Sequence, residues 1–369
     1  MRFLMLNWRD PKNPLSGGAE RVTQAYLVAL KERGHEAFWF ANDFPGASRE
    51  ETVAGIHIIR GGGRGSSVLE ARRWYKTQKP FDLVIDQHHG VPWYAPWWSR
   101  TNCVAYLHEI LGPIWKSFYG WPLSWIGQVQ ERFNYRFLYR NIQFMTGSES
   151  TQRALHQAGV RNVQVISYGI DLKPLTQLEP KPFAPPLRLI AVARLAPNKR
   201  IDHAIEATRI LNERGVPAQL TVVGGGEVEP QLREQAGRNG LSGRVTFTGL
   251  LGEDEKNAQL RQAHLLVHTS VREGWGLNVL EANAMGTPAI VYPVPGLVEA
   301  ALHDQTGIVT PAETPIAVAE GIIQLLKTPD KYERFRHAGA ERTASFHWTQ
   351  VLPRAASWLE SQASPKPRS

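Results

Sequence analysis

The nine residues EGWGLNVLE at 273–281 carry two carboxylates, Glu273 and Glu281, on either side of a glycine-flanked tryptophan at what reads as a strand-to-helix junction. A helix start offers free N–H groups and a partial positive charge, which suit an anion, and glycine lets the backbone come close to it. The acids must therefore serve something other than charge balance. With Glu273 in the loop and Glu281 about a turn and a half inside the helix, at a rise of roughly 1.5 Å per residue, the two reach different heights of one extended ligand. Each can bind a polyol, with a diphosphate between them near the N–H groups. The plain alternative is a helix cap at Glu273 and a solvated helix residue at Glu281.

Other stretches offer matching chemistry. RLAPNK at 194–199 puts Arg194 just after a strand and Lys199 at a helix start. Two such cations suit a diphosphate and the charge that grows on it as a leaving group; each alone reads equally well as a surface charge. Gly224, Gly225, Gly226 and Glu227 follow a strand and permit close approach of a nucleotide, as would any tight turn. Upstream, PLSGGAE at 14–20 follows the first strand and opens a helix, so Gly17 and Gly18 would let a phosphate or hydroxyl touch the backbone. This is not G-x-G-x-x-G, and a dinucleotide fingerprint is absent. His108 closes another strand, where an imidazole could donate to a sugar hydroxyl or accept a proton, or simply be structural. Asp86, His88, His89, Glu109 and Glu149 stand near further strand ends, but no spaced partner makes a metal site of them.

The elements that must position these residues alternate regularly. Continuous apolar runs at 3–6, 37–40, 56–59, 82–86, 103–107 and 142–147 read as strands of a parallel sheet covered on both faces. Helical patterns at 22–31 and 150–158 close at Gly34 and Gly159. A Pro-rich stretch, KPLTQLEPKPFAPP at 173–186, reads as an interdomain linker and hinge. The rhythm then restarts with strands at 188–195, 219–226, 245–249, 264–270 and 288–293 and a helix at 201–213. At 369 residues two domains are expected, and the reading is α/β: two doubly wound, Rossmann-like domains, 1–172 and 187–346. Ligands bind at the carboxyl ends of such strands, so two facing domains would make one deep cleft. The amphipathic end of the chain, about 347–363, is expected to return to the first domain; only the polar tail SPKPRS is of low complexity.

Composition narrows the class. One cysteine, Cys103, excludes a disulfide framework and fits a reducing cytoplasm. No apolar run approaches the ~18 residues of a membrane span, and the opening MRFLMLNWRD does not read as a signal peptide. The net charge of +8 is uneven: residues 1–170 hold 20 Lys and Arg against 13 Asp and Glu, and nine of the 12 tryptophans precede residue 126. The first half is thus expected to meet something anionic or amphipathic.

In these motifs the chain resembles the retaining GT-B glycosyltransferases of family 4, a group with many bacterial cell-envelope enzymes. The likeness rests on GGAE at 17–20, His108, SES at 148–150, YGID at 168–171, ARLAPNK at 193–199, VVGGGE at 222–227 and TSVREGWGLNVLEANAMGTPAIV at 269–291. It implies a nucleotide-diphosphate sugar donor, UDP- or GDP-linked, with no cofactor and no metal. Glu273 would hold donor-sugar hydroxyls, Glu281 the ribose, and Arg194 with Lys199 the diphosphate. The backbone of Gly274, Trp275, Gly276 and Leu277 would lie against sugar and phosphate, His108 near the sugar, and the strand of Val245 and Phe247 on the base side. His268 stands where the family often has proline, and Trp275 where phenylalanine is more usual.

The acceptor is expected at the first domain, a glycan or a lipid-linked one. Its segment 91–140 interleaves aromatics with Lys and Arg, which suits an anionic membrane at the inner face of the cell membrane and equally suits a domain core with a sugar-stacking surface. The segment RRWYK at 72–76 adds to this. Nucleic acid is not an expected partner, since no recognition module is present. Two further functions remain open: a nucleotide-sugar epimerase on the same fold, and a non-catalytic glycan or lipid binder.

Overall fold

A computed structural model of the chain describes residues 1–63 and 65–363; the tail SPKPRS lies outside the described residues. The backbone divides into two compact units, Met1–Gly169 with the terminal helix Trp348–Ala363, and Ile170–His347.

The first unit is built on an eight-stranded sheet. In chain order the strands are β1 (Arg2–Leu6), β2 (Glu36–Ala41), β3 (Glu50–Val53), β4 (Ile56–Arg60), β5 (Leu83–His88), β6 (Asn102–Leu107), β7 (Gln143–Thr146) and β8 (Asn162–Val165). They lie in the order β3-β4-β2-β1-β5-β6-β7-β8, parallel except for the β3–β4 hairpin. The central strands are apolar on both faces, as a sheet covered by helices requires: Phe3, Leu4, Met5 and Leu6 are all fully buried. Helix Gly18–Glu32 stops before Gly34 and helix Glu149–Ala158 at Gly159, both glycines at positive φ. The terminal helix is tied to this unit by Glu360, which pairs with Arg33 at 2.7 Å and His35 at 2.8 Å, and by Trp348, edge-on to Tyr26.

The second unit holds β9 (Leu187–Val192), β10 (Ala218–Val223), β11 (Val245–Gly249), β12 (Leu265–His268), β13 (Ala289–Val291) and β14 (Gly307–Val309), all parallel, in the order β11-β10-β9-β12-β13-β14. Because the strands run the same way, the segments leaving β9, β10, β11 and β12 emerge along one edge of the sheet, which brings residues far apart in sequence together.

The Pro-rich stretch is packed onto this unit rather than hanging free. Lys181 Nζ donates to Ala263 O (2.7 Å), Gly286 O (3.2 Å) and Thr287 Oγ1 (2.8 Å), and Phe183 stacks on Tyr332 with centroids 4.4 Å apart. Burial depresses the Lys181 ammonium to about 7, aided by Arg336 and Arg188 nearby. The prolines remove backbone donors that such a snug, irregular path would leave unsatisfied.

Candidate functional site

The site is assembled at the carboxyl ends of β9, β10 and β12. After β9 the chain turns at Ala193 and Arg194 and meets the glycine loop that follows β10, where Leu195 N donates to Gly225 O at 2.9 Å. A Cβ on Gly224 would stand 1.9 Å from Ala193 O and one on Gly226 2.3 Å from Leu195 O, so both glycines are needed for this contact. A Cβ on Gly225 would meet nothing nearer than 4.0 Å, so it is the open member of the three. After β12, Val271 N donates to Asn198 O (2.9 Å) and Thr269 Oγ1 to Arg200 O (2.7 Å), which fixes the 269–273 loop against the Lys199 turn.

Those two loops bring Lys199 and Glu273 into direct contact. Lys199 Nζ donates to Oε1 at 2.6 Å and Oε2 at 2.9 Å, so one ammonium holds both carboxylate oxygens. His268, buried at the end of β12, places Nε2 3.4 Å from Glu273 Oε1, within ion-pair distance but without a formed hydrogen bond. Burial pushes the Glu273 carboxyl up, yet the Lys199 charge and then His268 outweigh it and hold the group at about 2. Arg194 is exposed and has no side-chain partner among the described residues.

Helix Leu277–Ala284 begins at Gly276, in the left-handed region at φ +83°, which admits glycine without strain. Asn278 Nδ2 donates to Val192 O at 2.8 Å and pins the first turn to the end of β9. Glu281 Oε2 accepts from Lys256 Nζ at 3.0 Å, and Lys256 also reaches Glu253 at 2.8 Å. Each acid of EGWGLNVLE is thus paired with a lysine from another element. Trp275 turns inward, buried beside Phe346 with centroids 5.6 Å apart. Ser270 Oγ, Trp275 Nε1 and Asn278 Oδ1 are buried along this turn with no hydrogen-bond partner. Such a concentration marks a place where a ligand or water completes the bonding. On β11, Val245 is core, and Phe247 is covered by the Arg233 guanidinium 4.6 Å from its centroid.

In the first unit, Gly17 precedes the helix and Gly18 is its first residue; the helix's own acid, Glu20, reaches back to accept from Gly17 N at 2.7 Å. That helix start is already served by a carboxylate. His108 is held on both sides: Gln87 Nε2 lies 2.9 Å from Nε2, which must accept, leaving Nδ1–H to donate to Tyr168 Oη at 2.5 Å. Burial, with His89 beside it, drops His108 to about 3, and burial drops His89 likewise to about 3. The imidazole expected to be free for a hydroxyl or a proton is therefore neutral and engaged at both nitrogens. Asp86 accepts from Trp93 N, Ala95 N and Tyr139 Oη and shapes the 93–95 turn, while His88 is buried against Tyr135 and Tyr139. Glu149 opens its helix beside Arg153, and Glu109 follows His108. Among the described residues no group of three His, Cys, Asp or Glu is placed to hold a metal.

Two family descriptions match the chain in succession: Glycosyltransferase Family 4 over residues 16–174 and Glycosyl transferases group 1 over 179–342. A glycogen synthase of Mycobacterium tuberculosis is 30% identical over 96% of this chain and 94% of its own length. The chain is a GT-B glycosyltransferase of the family 4 kind. Solved GT-B structures share its fold: sucrose-phosphate synthase from Thermosynechococcus elongatus superposes with a TM-score of 0.80 over 98% of both chains at 20% identity. Anabaena HepE, solved in complex with UDP-glucose, gives 0.74 over 98% of this chain and 100% of its own, also at 20% identity.

In this glycosyltransferase the structure adds residues that motif reading passed over. Gly296, at φ +81°, lies against the Glu273–Gly274 peptide, where a Cβ would stand 2.2 Å from Glu273 O. Lys256 and Gln87 are ordinary by type and matter only through their contacts. Gly147 lets the Tyr168 ring lie flat on the backbone, since a Cβ there would be 2.1 Å from it, and so aims Tyr168 at His108. A sequence signal existed for Gly296 alone, as the glycine of a Pro-Val-Pro-Gly turn.

Proposed function

We propose that the chain is a retaining, metal-independent hexosyltransferase that takes a UDP- or GDP-linked sugar and passes the sugar to a glycan or lipid-linked acceptor of the cell envelope, working at the inner face of the membrane as a peripheral protein. The observation that carries this is the pairing of Glu273 with Lys199 and of Glu281 with Lys256, beside an exposed Arg194 that has no side-chain partner among the described residues. A donor diphosphate competes for Lys199, joins Arg194, and frees Glu273 for the sugar hydroxyls, while Glu281 takes the ribose.

The chemistry follows from these positions. The acceptor hydroxyl attacks the anomeric carbon on the face the diphosphate leaves, the carbon–oxygen bond to phosphate breaks, and the acceptor's proton passes to the departing phosphate oxygen. Arg194 and Lys199 stabilise the charge that develops there, the work a divalent cation would otherwise do. His108, neutral near physiological pH, serves as a hydrogen-bonding partner for a sugar hydroxyl in exchange for Tyr168 or Gln87, not as a general base. The UDP-glucose complex of HepE supports a nucleotide-sugar donor.

The test is a thermal-shift screen against UDP-, GDP- and ADP-linked sugars, followed by transfer assays with the donor that shifts the midpoint most. A shift of several degrees and acceptor-dependent release of the nucleoside diphosphate are expected. No shift with any of these donors, together with no transfer, overturns the proposal.

A further inference from the structure

The aromatic segment of the first unit separates into two populations. Trp93, Tyr135 and Tyr139 are fully buried and Trp115 nearly so, whereas Trp121 is 86% exposed, Trp125 60% and Phe137 64%. Among the described residues, seven of the fifteen exposed large hydrophobics fall between positions 121 and 137. They centre on helix Leu123–Phe133 and the wider turn Asn134–Leu138 that continues it. Trp121, Trp125, Val129, Phe133 and Phe137 recur at every fourth position, and the last two rings lie 5.2 Å apart, so the row is continuous there.

The helix is inside out. Ser124, Gly127, Glu131 and Asn134 form its buried face. Glu131 accepts from Leu111 N (2.9 Å) and Gly112 N (2.8 Å), Gln130 Nε2 donates to Gly90 O (2.6 Å), and Gly127 seats the Trp115 ring where a Cβ would stand 2.4 Å away. A surface helix ordinarily turns its apolar stripe to the core and its polar residues to water. Here the polar face is satisfied inside and the apolar face is left without a partner among the described residues, an arrangement that marks an interaction surface.

The charges select the occupant. Glu131 is the one acid between residues 110 and 148, and it is buried. Lys116, Arg132, Arg136 and Arg140 in the same stretch are exposed, with no ion pair among the described residues. A second copy docking face to face would bring four cations against four cations. We infer that the outward face of helix Leu123–Phe133, with Trp121 and Phe137 at its ends, is a docking surface for an anionic lipid bilayer. The rings enter the interfacial region and the arginine and lysine stems bring their charges to the lipid phosphates. The helix lies in the plane of the surface: eleven residues at ~1.5 Å each span far less than the ~30 Å of a hydrocarbon core, and no helix among the described residues is long and apolar enough to cross one. The inference deepens the reading of a membrane-face acceptor and rests on it for its purpose, while the docking is measurable without donor or acceptor.

The experiment is flotation of the full chain with vesicles of phosphatidylcholine alone or with 30% phosphatidylglycerol, repeated at raised salt. Strong binding to the anionic vesicles, at least tenfold weaker binding to the neutral ones, and release by salt are expected. The double variant Trp125→Ser, Phe133→Ser and the charge reversal Arg132→Glu, Arg136→Glu should each bind anionic vesicles at least tenfold more weakly. Both should keep the wild-type thermal midpoint within a few degrees and the wild-type transfer rate to a water-soluble acceptor. Equal flotation with both vesicle types, or variants with sound midpoints that bind as wild type does, overturns the inference. So does a concentration-dependent dimer in light scattering that the serine variants abolish, which would assign the face to a second copy. Retained vesicle binding by a protein that no nucleotide sugar stabilises would remove the transferase reading and leave the docking surface standing.

Discussion

At the strand ends of the second unit, Glu273 shares both its oxygens with Lys199 and is held at about 2, and Glu281 is paired with Lys256 a turn and more further on. At the strand ends of the first unit, His108 is neutral and bonded at both nitrogens, His88 and His89 are likewise depressed by burial, and Asp86 is consumed by its own turn. Six strands of the first sheet, β4-β2-β1-β5-β6-β7, follow the same parallel order as the six of the second, β11-β10-β9-β12-β13-β14, and the two differ in what they offer. Ion pairs that a polyanion can reopen suit a nucleoside diphosphate, and fixed neutral hydrogen bonders suit an uncharged sugar. The fold thus supplies position, and on the proposed reading the side chains at corresponding strand ends decide which half of a transfer each unit serves.

The largest expected effect breaks the charged half. Glu273→Ala removes the group proposed to hold the sugar hydroxyls, and transfer should fall by about 10²–10³-fold, measured as initial rates with the best donor. The fold should survive, since Lys199 and His268 can be reached by water once the carboxylate is gone; an inactive variant that is also unfolded would show that the pair is structural. Next in size is Arg194→Ala. Because Arg194 has no side-chain partner among the described residues, unfolding free energy should stay within about 0.5 kcal/mol of wild type, while transfer drops by about 10–100-fold. Unchanged transfer would move the diphosphate away from this loop.

Both residues were visible in the sequence, but the pairings were not. Lys199 and Glu273 are 74 positions apart, and only the parallel order β9 next to β12 joins them. Strands with continuous apolar runs, such as β1, β2 and β12, were legible because burial on both faces leaves no other composition open to them. The edge strands β3 (EETV) and β8 (NVQV) were missed because their residues alternate between exposed and half-buried and carry little apolar signal. Gly296 was legible as a turn glycine but not as part of the site, because what it must accommodate, the Glu273–Gly274 peptide, lies more than twenty residues upstream. The aromatics of 91–140 were countable but not orientable, because the same residue types form a core at Trp93 and Tyr139 and a surface at Trp121 and Trp125.

The neutral half can be tested through pH. His89 and His108 are held at about 3 by burial, against about 6.5 in an unfolded chain. Between those values the unfolded state binds protons that the folded state refuses, so their contribution is complete above pH 6.5 and is lost as pH falls. Each such histidine should lower the stability of the first unit by about 1.4 kcal/mol per pH unit below 6.5. Eleven of the 12 tryptophans lie in that unit, so urea unfolding followed by tryptophan emission at pH 7.5, 6.5 and 5.5 reads it almost alone. A midpoint unchanged between 6.5 and 5.5 would mean that these histidines are solvated and chargeable, and the contrast between the units would dissolve. Glu273 titrates elsewhere: its share in the second unit is complete above about 4.5 and disappears only as pH falls toward 2.

The smallest effect sharpens the comparison from within the charged half, because it concerns a histidine there. Where His108 stands between Gln87 and Tyr168, His268 faces a carboxylate, with Nε2 3.4 Å from Glu273 Oε1, and so works through Glu273 as a positioning residue. In His268→Asn, Lys199 still holds Glu273, and kcat should change little while the donor KM rises by up to about tenfold. The acid limb of kcat/KM should also move to higher pH, since one of the influences holding Glu273 down has been removed. A loss confined to kcat, with the limb in place, would mean that His268 only fills space at the end of β12. A moved limb with kcat kept would mean that the two units differ less in which residues they use than in what each histidine is placed against.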